Sequence, residues 1–244
     1  MKLKKFNVLL VLFLVFGLFG CNIKSNKTID DVQNALNSYY DSEKLDLSCV
    51  LNINASGMEL NTIVNMKIDT SGINPSVIIE FSSLGLENKV YFYNGYSCIL
   101  MDGTYYIEAM EFDLNEETPI PTLDFDEMDY VLSSITNIDT IEYTIKLDGS
   151  QVQSIIEDTI DMPVEGMDIE MELKVIADKE TNTLKQMIMK ATLTQYEQTV
   201  TIDMTVTINA IGEDVIVDIP NNIVEKIEKY ISDQNNTPEP EPQP

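Results

Sequence analysis

The groups in this chain that could do chemistry are three thiols and a large excess of carboxylates. Cys21, Cys49 and Cys98 are its sulfur nucleophiles. Asp and Glu number 41 against 15 lysines, and the 244 residues include no arginine, histidine or tryptophan. Without histidine the chain lacks the usual general base, the commonest transition-metal ligand and any Ser-His or Cys-His nucleophile pair. Catalysis would have to run on carboxylates alone, which would need two of them about 5–9.5 Å apart in a cleft. No spacing in the sequence selects such a pair, so an enzyme is not expected. The densest acidic stretch, Asp124, Asp126, Glu127 and Asp129, resembles a calcium loop at first sight. It lacks the glycine and the distal bidentate glutamate of D-x-D-x-D-G-x5-E. A solvated helix start, favoured by the helix dipole, accounts for it better. Neither a metal nor a cofactor is expected.

Cys21 is set apart by what precedes it. Lys2, Lys4 and Lys5 form a positive start, residues 8–19 are apolar apart from Gly17, and a small residue, Gly20, stands just before the cysteine. A charged start, a short apolar core and a small residue at the cut make a secretory signal. The apolar run is too short to cross a hydrocarbon core of about 30 Å, which needs roughly 20 residues. Leu18-Phe19-Gly20-Cys21 resembles the lipobox of bacterial lipoproteins. The resemblance implies that residues 1–20 are a signal peptide cut before Cys21. It also implies that the Cys21 thiol carries a diacylglyceryl group and that the new N-terminus takes a further acyl chain such as palmitate. The expected address is the outer, extracytoplasmic face of the cell membrane.

Residues 1–20 hold three lysines and no acids, so the remainder has 41 acidic residues against 12 lysines, a net charge of −29. Such a field repels phosphate backbones and anionic head groups. Nucleic acid is thereby excluded as a partner, and the lipid on Cys21 must supply the hold on the membrane. Two acyl chains make a stable anchor where one is marginal.

The elements that must position any site are mostly strands. Residues 21–28 read as a polar, lipidated tether, and 31–41 as a helix with Ile29, Val32, Leu36 and Tyr39/Tyr40 near one stripe. Strict apolar–polar alternation follows at 47–55 and 58–68, with Gly57 near the connection, and the pair reads as an antiparallel hairpin. Residues 76–81 form another strand. Strands at 90–93, 97–101 and 105–109 are separated by Asn94-Gly95 and Asp102-Gly103, strong signals for tight hairpins because both turn residues need φ > 0. Residues 113–122 read as an acidic loop, 123–135 as a helix, 141–147 as a strand and 152–160 as a short helix. Long alternating strands come at 167–175, 187–193 and 200–210, then a last strand at 215–219 and a closing helix at 222–231. The proline- and glutamate-rich residues 233–244 read as an extended disordered tail.

One-sided alternation over many strands means an antiparallel sheet with one wet and one dry face. The expected fold class is α+β: a large curved antiparallel sheet, an incomplete β-barrel, wrapped around a few helices, as one domain over residues 29–232. The order of elements carries a second resemblance. A helix runs into a long strand pair (30–68), followed by the Tyr-rich meander VYFYNGYSCILMDGTYYI (90–107). Then come a helix after IKLDG (145–149), the strand–turn–strand IADKETNTLKQMIM (176–189) and a last strand ending in IVDIP (216–220). This order resembles the exported lipoproteins with a LolA/LolB/LppX-like half-barrel. The resemblance implies an apolar cavity between sheet and helices that holds acyl chains. It extends to the fold only, since LolA proper works with basic and aromatic residues at its mouth.

On that implication the cavity is lined by Leu51, Ile53, Val64, Met66, Met171, Met189, Met204 and Val206. Methionine is concentrated on the dry-face strand positions, with Met58, Met66, Met171, Met187, Met189 and Met204 among them. Flexible thioethers suit a cavity that accepts varied apolar ligands, and they equally suit gap-filling in an ordinary core. Tyr91, Tyr93, Tyr96, Tyr105 and Tyr106 suit a cavity mouth or cross-strand pairs on a half-buried face. Cys49 and Cys98 are expected to be unpaired, because no signal brings their strands within the roughly 7 Å that a disulfide needs. The expectation is a monomeric, membrane-anchored lipoprotein that binds a lipid or other apolar ligand. The competing reading is an acidic surface scaffold with a filled core.

Overall fold

The computed structural model describes residues 27–40, 42–55, 57–101, 104–109, 130–147, 149–150, 152–153, 168–196 and 198–235. Among them, eleven strands form a single antiparallel sheet that does not close. The strands are β1 (Lys44–Ala55), β2 (Met58–Asp69), β3 (Ser76–Ser83), β4 (Leu86–Tyr93), β5 (Tyr96–Met101) and β6 (Thr104–Ala109). They continue with β7 (Tyr130–Thr136), β8 (Thr140–Leu147), β9 (Asp168–Asp178), β10 (Leu184–Gln195) and β11 (Gln198–Ile211). Their spatial order is β6-β5-β4-β3-β2-β1-β11-β10-β9-β8-β7. Two meanders, β1–β6 and β7–β11, are joined where β1 pairs with β11, from Leu45 opposite Ile211 to Ala55 opposite Val200. Among the described strands, β6 and β7 stand at the two edges of the sheet.

The turns fall at two ends of the sheet. The β1–β2, β3–β4 and β10–β11 hairpins turn at one end, called the tip end, and β2–β3, β4–β5, β7–β8 and β9–β10 turn at the other, the base end. Asn94-Gly95 makes the β4–β5 turn with φ of 52° and 78°, as its sequence predicts. Leu84-Gly85 makes the β3–β4 turn with φ of 53° and 74°. Leucine pays about 1–2 kcal/mol for that backbone region, so no sequence signal marks the turn.

Helix α1 (Lys27–Tyr40) covers one face. Ile29, Val32, Ala35, Leu36 and Tyr39 recur at three- and four-residue spacing, and all are buried against the sheet. Polar bonds hold α1 to the β9–β10 turn at the base end. The Asn182 amide donates to the Asp31 carbonyl at 2.7 Å, and the Leu184 N–H donates to Ser38 Oγ at 3.2 Å. Helix α2 (Asn221–Asn235) lies against the opposite face. Its Ile223 and Ile227 are buried with Tyr91, Cys98 and Ile219, and Ile78, Tyr93, Tyr96 and Tyr105 pack around them. Those sheet residues are out of phase with the ones that α1 covers.

Three expectations change. Over 130–135, the described part of the helix expected at 123–135, the structure has strand β7, paired to β8 with Tyr130 opposite Leu147 and Thr136 opposite Ile141. The β-branched Val131, Ile135 and Thr136 suit that ladder, and pairing with a neighbour outweighed a roughly helical spacing. Residues 215–219 do not pair into a strand. They follow a single 3-10 turn, Gly212–Asp214, and lead the chain to α2 on the other face. Finally, the sheet is not one-sided throughout. In β4 the consecutive residues Val90, Tyr91 and Phe92 are all buried, because α2 lies on the face that alternation had assigned to water.

Candidate functional site

The eight residues named as cavity lining fall on one face, in four neighbouring rows that cross the sheet. Ile53 aligns with Ile202, Ala191 and Met171. Two residues along, Leu51 aligns with Met204, Met189 and Leu173. The next row runs Val64, Cys49, Val206, Met187 and Val175. Met66, opposite Leu47 and Ile79, stands in the fourth. Side chains two residues apart on a strand share a face, and rows repeat every ~6.8 Å. Alternation in β1, β2, β9, β10 and β11 is therefore sufficient to bring these residues together. Leu51, Val64, Met171, Met189, Met204 and Val206 belong to the buried core under α1, and Ile53 and Met66 are partly buried beside it. Met58 departs from the set. It stands at the tip-end start of β2 and is exposed.

Sequence reasoning passed over several neighbours in the same cluster. Leu47, Tyr143, Ile145, Leu173 and Val175 are all buried there. Their signal was the same period-two pattern that marked the named residues. Thr62, in the Leu51 row, is a buried polar residue whose hydroxyl donates to Ser83 Oγ at 2.9 Å. Cys49 sits beside Tyr39. Burial raises the Cys49 thiol to about 11, and burial, followed by the proximity of Cys49, raises the Tyr39 hydroxyl further still. The interior between α1 and the sheet is thus unfavourable to negative charge.

Two concavities border the sheet away from α1. One of about 690 Å³ is lined mainly by side chains of the opposite face, among them Ile63, Asn65, Glu80, Lys89 and Leu100. Another of about 500 Å³ is bordered by Lys146, Glu170, Glu172, Lys190 and Thr192. That face is laced with ion pairs: Lys174–Glu142 at 2.9 Å, Lys146–Glu172 at 3.6 Å, Lys67–Asp46 at 3.2 Å and a close Lys89–Glu80 pair.

Four of the five tyrosines lie on this second face instead of around a mouth in the methionine-rich one. Tyr91, Tyr93, Tyr96 and Tyr105 pack beneath α2, where Tyr96 meets the Tyr230 ring edge-on at 6.0 Å. The Lys226 ammonium stands 4.3 Å from the centre of the Tyr105 ring. Tyr106 is exposed on the other side of edge strand β6. Cys49 and Cys98 are both free and buried. They belong to different clusters on opposite faces of the sheet, which is why they do not meet.

Cys21, the acidic run Asp124, Asp126, Glu127 and Asp129, the loop at 113–122 and the tail from 236 lie outside the described residues. So does most of the expected helix at 152–160, of which Val152 and Gln153 are described and helical. Among the described residues, no group of three or more Cys, Asp or Glu side chains could hold a metal ion. No helix among them is long and apolar enough to cross a membrane.

The described residues thus form an open antiparallel sheet with α1 on one face and α2 on the other. No family model matches the chain, and no curated protein does. Among solved structures it is similar to LprF from Mycobacterium bovis, with 12% identity, 80% of this chain and 98% of that chain covered, and a TM-score of 0.46. It is similar to lipoprotein LppX of Mycobacterium tuberculosis, at 10% identity, 80% and 100% coverage and a TM-score of 0.46. A LolA superfamily protein from Nitrosomonas europaea follows at 8% identity, 78% and 96% coverage and a TM-score of 0.28. Likeness at this level assigns no ligand to the chain.

Proposed function

We propose that this protein is an extracytoplasmic lipoprotein of the LolA/LppX-like kind that binds a lipid or other apolar ligand between α1 and the sheet. Diacylglyceryl on Cys21 holds it at the outer face of the cell membrane. Residues 1–20 are its signal peptide, the tether from Cys21 leads into α1 at Lys27, the domain runs to the end of α2 at Asn235, and it works without nucleic acid. One observation carries the reading: the apolar rows of β1, β2 and β9–β11 form one continuous face in which Met66, Met171, Met187, Met189 and Met204 share the surface with branched aliphatics. Thioethers re-pack around ligands of different shape, where branched residues hold one shape. Burying a chain of a dozen methylenes contributes on the order of 10 kcal/mol at about 0.8 per CH₂, before ordering costs. A net charge of −29 on the chain from Cys21 onward selects neutral or cationic head groups over anionic ones.

A second reading, the acidic scaffold, is favoured by the close burial of the same rows: Met204 and Val206 have no exposed surface. Native mass spectrometry of the protein prepared without detergent separates the two. The ligand reading expects bound lipid mass and saturable uptake of zwitterionic and cationic lipids, weaker for anionic ones. A bare mass with no uptake establishes the scaffold. For the anchor, Cys21→Ala is expected to leave an uncut, unacylated precursor, and an acylated, processed Cys21→Ala chain would refute the lipobox.

A further inference from the structure

The tip end of the sheet carries apolar side chains where folding alone would not choose them. Tyr196, Met58, Leu84 and Leu86 are 89%, 74%, 77% and 67% exposed, and they stand on the turns of the β10–β11, β1–β2 and β3–β4 hairpins. These hairpins are adjacent in the sheet order, two strand spacings apart across the sheet, and the β3–β4 turn is set back to the level of Asn61, three residues short of Met58. Backbone geometry adds a second observation. Among the described residues, four non-glycine residues have φ > 0. Asn94 and Asn182, at the base end, are of a type that tolerates this region. Leu84 at 53° and Tyr196 at 48°, at the tip end, are not. Strain retained at exposed bulky residues points to a use outside the fold.

We propose that these three hairpin tips form a docking surface for the interfacial layer of a zwitterionic lipid bilayer. Separate protruding points suit a deformable surface. A protein partner needs roughly 800 Å² of continuous contact per side, which four side chains on three tips do not offer. Leucine, methionine and tyrosine enter the interfacial zone without stranding a charge. Glu59 and Glu87, exposed immediately beyond Met58 and Leu86, turn away an anionic surface. With the chain's net charge of −26 they also turn away a second copy. Ile73 and Ile138 at the base end are as exposed, but they sit on the β2–β3 and β7–β8 turns, which are not adjacent in the sheet order. The proposal does not depend on a ligand beneath α1, since it concerns the rim of the sheet.

The chain contains no tryptophan, so single reporters can be placed in the full-length protein. Leu84→Trp, Tyr196→Trp, Ile73→Trp and Ile138→Trp are mixed with phosphatidylcholine vesicles containing lipids brominated high on the acyl chain. The reporters at 84 and 196 are expected to shift to the blue and be quenched, while those at 73 and 138 stay in water. In a Met58→Trp background, Leu84→Asn is expected to weaken the quenching partition about tenfold, as loss of one buried leucine implies. Its melting temperature should be unchanged or higher, since asparagine suits the turn. Equal quenching at both ends, stronger quenching at 73 and 138, no quenching at all, or a preference for phosphatidylglycerol vesicles would overturn the assignment.

Discussion

Leu173, Met187, Met204 and Val206 are fully enclosed beneath α1, so each tests the packing of the methionine-rich face directly. Leu173→Ala is expected to lower stability by about 2–5 kcal/mol, the usual cost of a buried leucine truncation, as read by urea denaturation. Val206→Trp is more discriminating. A face that gives way for ligand accommodates the indole and loses uptake while the fold persists, whereas a filled core loses stability by about 1–3 kcal/mol or more. The thiols give a third test at this scale. With its thiol raised to about 11 and its side chain buried, Cys49 remains protonated and unreactive at neutral pH, and both cysteines are expected to react only on unfolding. With Cys21 acylated, two free thiols should be counted under denaturing, non-reducing conditions, and a count of zero would contradict the opposite-face placement. Most of these residues were legible in the sequence because a period of two fixes the face of every residue once a strand is known. Met58 was not, because at a strand end the same phase leads out of the sheet into solvent.

At the scale of elements, what could be read depended on whether the pattern was local. Long alternating strands and the Asn94-Gly95 turn were legible because nearest-neighbour sterics and burial dictate both. The β7 segment and residues 215–219 were not, since a strand exists only where another strand offers its ladder. Helix α2 was legible as a helix, yet its place was hidden. The clue lay in the run Val90-Tyr91-Phe92, a continuous apolar stretch that marks a strand covered on both faces. Because α2 covers Cys98 and α1 covers Cys49, disturbing one helix should expose one thiol. Ile227→Ala is expected to destabilise by about 2–5 kcal/mol and to speed alkylation of Cys98 selectively, measured by mass spectrometry. Equal acceleration at Cys49 would contradict the two-sided arrangement. A smaller element makes a similar point. A Cβ on Gly149 would collide with the Ile169 carbonyl of β9, so Gly149→Ala should lower the melting temperature.

For the whole molecule, charge dominates the response to solution conditions. The Asp178 carboxyl is held well below the usual carboxylate range, first by Lys185, 2.8 Å away, and then by the backbone N–H groups of Thr181 and Glu180. Asp69 is lowered too, first by its hydrogen bond from the Ser71 hydroxyl. A carboxylate depressed on folding stabilises the native state above its unfolded pKa of about 3.9, and that contribution disappears as pH falls through the folded value. Stability should therefore decline below about pH 4, and Asp178→Asn should flatten that decline. At neutral pH the net charge of −26 opposes compaction, so added salt is expected to raise the melting temperature. The proposed function requires that the methionine-rich face beneath α1 receive an apolar chain. Its most direct measurement is the anomalous scattering of a crystal grown with a zwitterionic lipid brominated along its acyl chains. Bromine peaks between α1 and the rows of Met171, Met189 and Met204 are the expected result. Peaks confined to the concavities on the opposite face, or none with the rows closed on one another, would contradict it.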